Sequence, residues 1–246
     1  MEHVLQVLES LAPCLFWTDE VDQQVGGDRG ANRAAGDSGV SERLFGRILE
    51  FFGDSRVRGR VLWVATTNRP DLLDLALRDR FSLKIPFLHP TQSERAELLP
   101  HLAAQVERHL DTDVDCQTLA RLPTLEMLSA RAMQEIIVWA GTLADRRTGQ
   151  PGSALTQADL HSAALDYKPS FDPAEHALMA LTALQMTSFQ SLLPWNGLGQ
   201  DATPRREWPE YVEGLIDSAS GRLDPARLEE RIQGLRRYRQ GQGEWR

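Results

Sequence analysis

Two apolar runs of strand length, Cys14-Leu15-Phe16-Trp17-Thr18 and Val61-Leu62-Trp63-Val64-Ala65-Thr66, constrain this chain more than any other feature. Both are rich in aromatic or β-branched residues, and a continuous apolar run this short reads as a strand buried in a parallel sheet. Parallel neighbours cannot be joined by a hairpin, so the stretch between the runs must cross over. Residues 41–52 (SERLFGRILEFF), with Ser41 as a cap, supply the helix for that crossover. Strand, helix, strand then makes a right-handed unit. Upstream, Val4, Leu5, Val7, Leu8 and Leu11 recur at helical spacing, which predicts a helix over residues 3–11 stopped by Pro13. Gly26 to Gly39, rich in Gly, Ala, Asp and Arg, reads as a loop.

Leu83 to Pro86 reads as a third short strand, and from Thr91 onward the pattern is helical. Helices are expected over Gln92–His109 with Thr91 as the cap, over 115–121, 127–146 and 157–165, and from Pro173 to about Gln190. Pro194, Gly197, Gly199 and Pro204 mark a linker. Pro209–Ser218 and Pro225–Gln240 each place a proline in a first helical turn, where its missing N–H costs nothing, and are expected as two final helices. No internal repeat occurs. The expected organisation is an α/β segment over residues 1–90, a helical domain over 91–168 and a helical extension over 169–246.

The residues that carry chemistry stand at the strand ends. Asp19 and Glu20 follow the first run directly, and Asn68 follows the second, at the carboxyl ends where open α/β sheets bind ligands. Taken alone, an acid pair after a strand also describes a capping or solvated pair, and Asn68 before Arg69-Pro70 also describes a turn. Residues 66–81 read TTNRPDLLDLALRDRF. An apolar strand ending in Asp-Glu resembles a Walker B motif, and residues 66–81 resemble the second region of homology of the AAA family, so the chain resembles an AAA+ ATPase from Walker B onward. The resemblance covers residues 1 to about 168, and its most specific stretch is 61–81.

That resemblance implies a fold, a ligand and an assembly. The fold would be the parallel sheet of a P-loop NTPase, here with strands 3, 4 and 5, followed by a helical lid. Asp19 would hold Mg²⁺ with ATP, Glu20 would polarise the attacking water, and Asn68 would be the sensor of the γ-phosphate. Arg80 would be the arginine finger that reaches a neighbouring subunit's nucleotide in a hexamer-like homo-oligomeric ring. A second family arginine three residues later is Leu83 here, which leaves Arg80 to act alone or trans-activation weakened. Ser129-Ala130-Arg131 resembles the segment opening the lid helix, where Arg131 would reach phosphates as a sensor 2 or simply face solvent. Val25–Val40 falls where the family's second pore loop lies, and a plain surface connection fits it equally.

One family part is missing from the sequence. No G-x-x-x-x-G-K-[ST] occurs, and the two lysines, Lys84 and Lys168, do not sit beside a glycine. The expectation is therefore an ATPase whose recorded sequence starts late or whose gene is truncated, inactive as this chain alone, whose complete form hydrolyses ATP to remodel a protein partner. The alternative is a non-hydrolysing structural or regulatory AAA-like subunit. A net charge of −8 argues against a dedicated nucleic-acid surface, although Arg227, Arg231, Arg236, Arg237 and Arg239 crowd the last expected helix beside Glu229 and Glu230. Two cysteines and six scattered histidines offer neither a disulfide framework nor a zinc pattern, and no apolar run is long enough for a membrane span. These features point to the cytoplasm.

Overall fold

The computed structural model describes residues 2–22, 38–196, 207–217 and 219–241. The chain divides into two compact units, residues 1–84 and residues 85–246.

In the first unit, helix α1 (Glu2–Leu11) leads into strand β1 (Cys14–Thr18), and helix α2 (Ser38–Gly53) leads into strand β2 (Val61–Ala65). The strands pair in parallel, with Cys14 opposite Val61 and Thr18 opposite Ala65, so the expected crossover unit is present. Ser41 lies inside α2, which begins at Ser38, and is therefore no cap. Between α2 and β2 the Asp54 carboxylate accepts the Arg56 N–H at 2.8 Å, and Gly59 takes a left-handed φ of 78°, which turns the chain back into the sheet.

Alternation across the pleat gives the sheet two different faces. On one face Phe16 and Trp63, opposite each other in register, meet the end of α2: Phe52 stacks on Trp63 at 4.4 Å and on Phe16 at 5.9 Å. Phe81 closes the cluster against Trp63 at 4.6 Å, and the indole N–H of Trp63 donates to Thr18 Oγ1 at 2.8 Å. On the opposite face Leu15, Trp17 and Leu62 are each about 60% exposed. The expectation of strands buried on both sides thus holds for one face only. Along α1 the apolar stripe is likewise mostly open, with Leu8 buried and Val4, Val7 and Leu11 exposed.

The third expected strand, Leu83–Pro86, forms no ladder: the only strand pairing among the described residues of this unit is β1 with β2. A strand exists only through a neighbour's N–H and C=O groups, and Pro86 has no N–H to offer. After a single turn at Pro70–Leu72 and the short helix α3 (Leu75–Arg78), the chain instead runs on irregularly to Thr91.

The second unit is helical and holds two cores. Helix α4 (Gln92–Gln105) starts at Thr91 with a capping box in which Thr91 and Glu94 satisfy each other's backbone N–H. It ends before the expected His109 because Glu107 turns left-handed at φ 56° and the Arg108 N–H returns to the Ala103 carbonyl. Helices α5 (Cys116–Ala120), α6 (Ala130–Thr148) and α7 (Gln157–Asp166) follow. Ser129 caps α6, and Gly149, at φ 72°, ends it in the left-handed conformation that favours glycine. Leu99, Leu102, Leu128, Met133, Ile137 and Leu160 are the centre of this first core.

The second core joins helices α8 (Pro173–Met186) and α9 (Pro225–Arg239), each opened by an Asp-Pro pair whose aspartate caps the helix. Leu181, Trp195, Val212 and Ile232 lie at its heart, and the Trp195 indole N–H donates to the Gly221 carbonyl at 2.7 Å. The helix expected over Pro209–Ser218 is absent. A single turn, Glu210–Val212, ends at Gly214 with φ 79°, and Ile216–Asp217 (β3) pairs antiparallel with Arg222–Leu223 (β4). The reason is local: the Asp217 side chain accepts the N–H groups of Ala219 and Ser220, which makes a turn where a helix would need those donors. Among the described residues no helix is long and apolar enough to cross a membrane.

Candidate functional site

Because β1 and β2 run parallel and in register, their carboxyl ends finish side by side, and Asp19-Glu20 emerges next to Thr66-Thr67-Asn68. The ladder continues past the strands: the Thr66 N–H donates to the Thr18 carbonyl at 3.0 Å, and the Val21 N–H donates to the Thr66 carbonyl at 2.9 Å. Within that frame the Thr66 hydroxyl donates to Asp19 Oδ1 and accepts the Glu20 N–H at 3.3 Å. Glu20 itself is held at φ 48°, a left-handed conformation uncommon for a residue with a Cβ. Such strain persists only where the surroundings over-determine it, and here Thr66 grips both Asp19 and the Glu20 backbone. The acid pair is a fixed corner.

A second threonine holds the other arm. Thr67 Oγ1 donates to Asp22 Oδ1 at 2.5 Å and accepts the Arg69 N–H at 2.9 Å. Asp22 is 6% exposed, so this is a buried carboxylate tied to the residue before Asn68. Asn68 follows Thr67 directly and is exposed. Sequence reading singled out Asp19, Glu20 and Asn68 and missed Thr66, Thr67 and Asp22. The signal was the pair of hydroxyl residues at the end of an apolar run opposite an acid-rich strand end.

The stretch after Asn68 is stapled by its own arginines. Arg69 makes a two-pronged pair with Asp71, 3.0 Å on each side. Arg78 donates to the carbonyls of Leu73 at 2.8 Å and Pro70 at 3.0 Å, so its guanidinium holds the 70–73 turn together. Arg80 is exposed, and its Nε donates to the Leu49 carbonyl at 3.3 Å on the last turns of α2. Its guanidinium lies 3.7 Å from the place a Cβ on Gly53 would occupy, an ordinary van der Waals distance, so it runs along the end of the helix. Arg131 belongs to the second unit, where it stands exposed in the first turn of α6. Most of the Val25–Val40 stretch, expected as a second pore loop, lies outside the described residues.

A magnesium ion that arrives with phosphates asks one or two carboxylates of the protein. Asp19, exposed at the strand end with Glu20 beside it, provides donors of that kind. No group of three or more His, Cys, Asp or Glu side chains among the described residues could hold a metal by itself. Phosphates would thus have to complete any such coordination.

Comparison with known proteins gives the family and the fold that this chain resembles. The model of the ATPase family associated with various cellular activities (AAA) matches residues 1–88. The ATP-dependent zinc metalloprotease FtsH 1 of Phytoplasma mali is 37% identical over 112 residues, which is 45% of this chain and 18% of that protein. The putative ribosome biogenesis ATPase nvl of Dictyostelium discoideum is 30% identical over 120 residues, 46% of this chain and 13% of that protein. This chain therefore spans less than a fifth of the length of either relative. Among solved structures, the FIGL-1 AAA domain superposes with a TM-score of 0.60 at 20% identity, covering 76% of this chain and 61% of that one. The fold is that of an AAA domain, with mixed helix and parallel sheet followed by a helical part.

Proposed function

We propose, on the premise that this chain belongs to the AAA ATPases through residues 1–88, that its strand ends are the water-activating and sensing half of an ATP-hydrolysing site. The observation that supports the reading is the parallel register of β1 and β2, which sets Asp19 and Glu20 beside Thr66, two residues before Asn68, with the Thr66 hydroxyl bonded to the Asp19 carboxylate and the Glu20 N–H. Asp19 holds the Mg²⁺ of a bound nucleotide. The ion, when bound, neutralises charge on the phosphates. Glu20 orients and polarises a water, because phosphoryl transfer is mostly positioning and charge neutralisation. Its left-handed backbone, held through the N–H by Thr66, fixes the point from which the side chain starts. Asn68, at the end of the adjacent strand, hydrogen-bonds the terminal phosphate or that water.

Arg80 serves a nucleotide held by a neighbouring copy in a homo-oligomeric ring, and Arg131 is the candidate sensor 2. The whole assembly works on a protein partner in the cytoplasm. Phosphate affinity has to come from a P-loop that this sequence does not contain. That same observation favours a second reading, a regulatory subunit that lends Arg80 to a neighbour without turning over ATP itself.

Calorimetric titration with Mg-ATP and a phosphate-release assay test the first reading. The purified 246-residue chain is expected to release phosphate at background, identically in the wild type and in Glu20→Gln. Turnover by the wild type that Glu20→Gln abolishes would show that this chain holds phosphates by itself, and would refute the half-site assignment.

A further inference from the structure

The helical extension past residue 169 has no part in the proposed chemistry, yet it grips the stretch by which the second unit begins. Leu88 packs against the second core, as Trp208 and Tyr211 also do. At His89 both the main-chain N–H and ring Nδ1 lie 3.4 Å from the Tyr211 hydroxyl, and the imidazole meets the Tyr211 ring edge-on at 5.7 Å. The other side of that imidazole stacks on His176 of α8 at 5.6 Å, which in turn stacks on Phe171 at 3.9 Å. At the start of α4 the Ser93 N–H donates to Glu207 Oε1 at 3.0 Å, and the Ser93 hydroxyl donates to the other oxygen of that carboxylate.

Arg95 is the deepest of these anchors, 1% exposed on its side chain. Nη2 reaches Glu210 Oε1 at 2.5 Å, Nη1 reaches Glu210 Oε2 at 3.3 Å and the Pro90 carbonyl at 2.9 Å, and Nε reaches the Ala120 carbonyl at 3.0 Å. A buried guanidinium with every contact satisfied fixes its partners in place, because removing any one leaves a charge or a carbonyl stranded. His89, Ser93 and Arg95 each bond a side chain within residues 207–211, and Arg95 additionally ties in the Pro90 and Ala120 carbonyls. The first core, from Leu99 to Ala164, is a cluster separate from the one that holds α8 and Val212.

We infer that the extension is an intramolecular clamp: residues 207–211 and α8 hold Leu88 to Arg95 rigid, so that the helical unit begins at a fixed segment instead of a free one. The clamp is polar at one end, through Glu207 and Glu210, and aromatic at the other, through Tyr211 and His176. It is independent of nucleotide chemistry and survives or falls separately from the half-site reading.

Hydrogen exchange followed by mass spectrometry on the full chain tests it, comparing the wild type with Glu210→Gln and with Tyr211→Phe. Glu210→Gln removes the charge and keeps the shape; Tyr211→Phe removes only a hydroxyl. Amides of residues 88–95 are expected to exchange roughly tenfold faster in Glu210→Gln, the loss that a charge-assisted bond of ~1.5 kcal/mol predicts, and more modestly faster in Tyr211→Phe. Amides of α6 from Ile136 to Ala144 should keep their wild-type rates. Unchanged exchange at 88–95 in both variants would overturn the inference. Equal acceleration in α6 would overturn it too, because the contacts would then serve the fold as a whole.

Discussion

Replacing Thr66 by valine removes one oxygen while keeping the branched shape, so it isolates what the hydroxyl contributes at the strand ends. Two bonds are lost: the donation to Asp19 Oδ1 and the acceptance of the Glu20 N–H at 3.3 Å. A neutral hydrogen bond contributes about 1 kcal/mol net and one to a charged group about 1.5–3 kcal/mol. The Glu20 bond is long and the Asp19 carboxylate is exposed, so water replaces part of both, and about 1–2 kcal/mol is the expected loss. The valine methyl that replaces the hydroxyl gains only a little apolar burial at this partly buried position, so the loss dominates. Four of the six tryptophans lie in the second unit, so amide hydrogen exchange in β1 and β2 as a function of urea is the readout specific to the first unit. In urea titrations, Thr66→Val should lower the unfolding free energy of residues 1–84 by about 1–2 kcal/mol, and Thr66→Ser should restore most of it. The left-handed Glu20 amide should also lose protection in the valine variant alone. A valine variant as stable as wild type would mean that Asp19 and Glu20 are held by the ladder bonds of Thr18 and Val21, and that Thr66 is a bystander.

Three further outcomes follow from other parts of the structure. Trp63→Ala removes the ring shared by Phe16, Phe52 and Phe81 and should destabilise the first unit by about 2–4 kcal/mol, less than a fully buried tryptophan because the site is half-exposed; a melting curve within a degree of wild type would deny that these aromatics are its core. Gly149→Ala forces a Cβ into a left-handed helix end at φ 72° with nothing nearby to clash, so the backbone alone should cost about 1 kcal/mol, seen as a small fall in the thermal midpoint of the helical unit and absent if the cap tolerates alanine. Burial, and then the neighbouring His176, depress His89 from the ordinary 6.5 to about 4. The folded state therefore binds fewer protons than the unfolded one, and stability present above pH 6.5 is lost as pH falls toward 4, by at most about 3 kcal/mol. His89→Gln should flatten that slope in pH-dependent urea melts, and a slope unchanged by the substitution would assign the acid sensitivity to other groups.

The fold was legible where local chemistry and tertiary context agree. Strand-length apolar runs and the helix between them predicted the parallel pair, Thr91 announced its helix because a side-chain oxygen before a periodic run has one good use, and Pro173 and Pro225 marked theirs, whereas Ser129, the cap of α6, falls inside the helix expected from residue 127. Legibility stopped where an element needs a neighbour the sequence pattern cannot supply. Leu83–Pro86 has strand composition but no ladder, and Pro209–Ser218 has a helix-opening proline but an Asp217 turn that takes the donors first. The second case was within reach of sequence reasoning, since Asp217, Ser220 and Gly221 form a turn signature overlooked in favour of Pro209. The first was not, since strand pairing is a property of two segments.

At the strand ends the sequence named the carboxylates and the asparagine but not what holds them, and the reason is directional. A motif records which side chains are present; Thr66 matters because its oxygen sits between a carboxylate and a main-chain N–H forty-odd positions earlier in the chain, at sequence separations of 47 and 46. Only the parallel register, residue against residue from Cys14 to Thr18, brings those atoms together. A one-residue slip would turn Thr66 to the other face and release both Asp19 and Glu20. Register is in turn set by the aromatic face, where Phe16 and Trp63 must meet Phe52 for the unit to have a core at all. The chemistry at the strand ends therefore depends on packing at the strand centres, and substitutions that loosen Phe52 should disturb Glu20 without touching it.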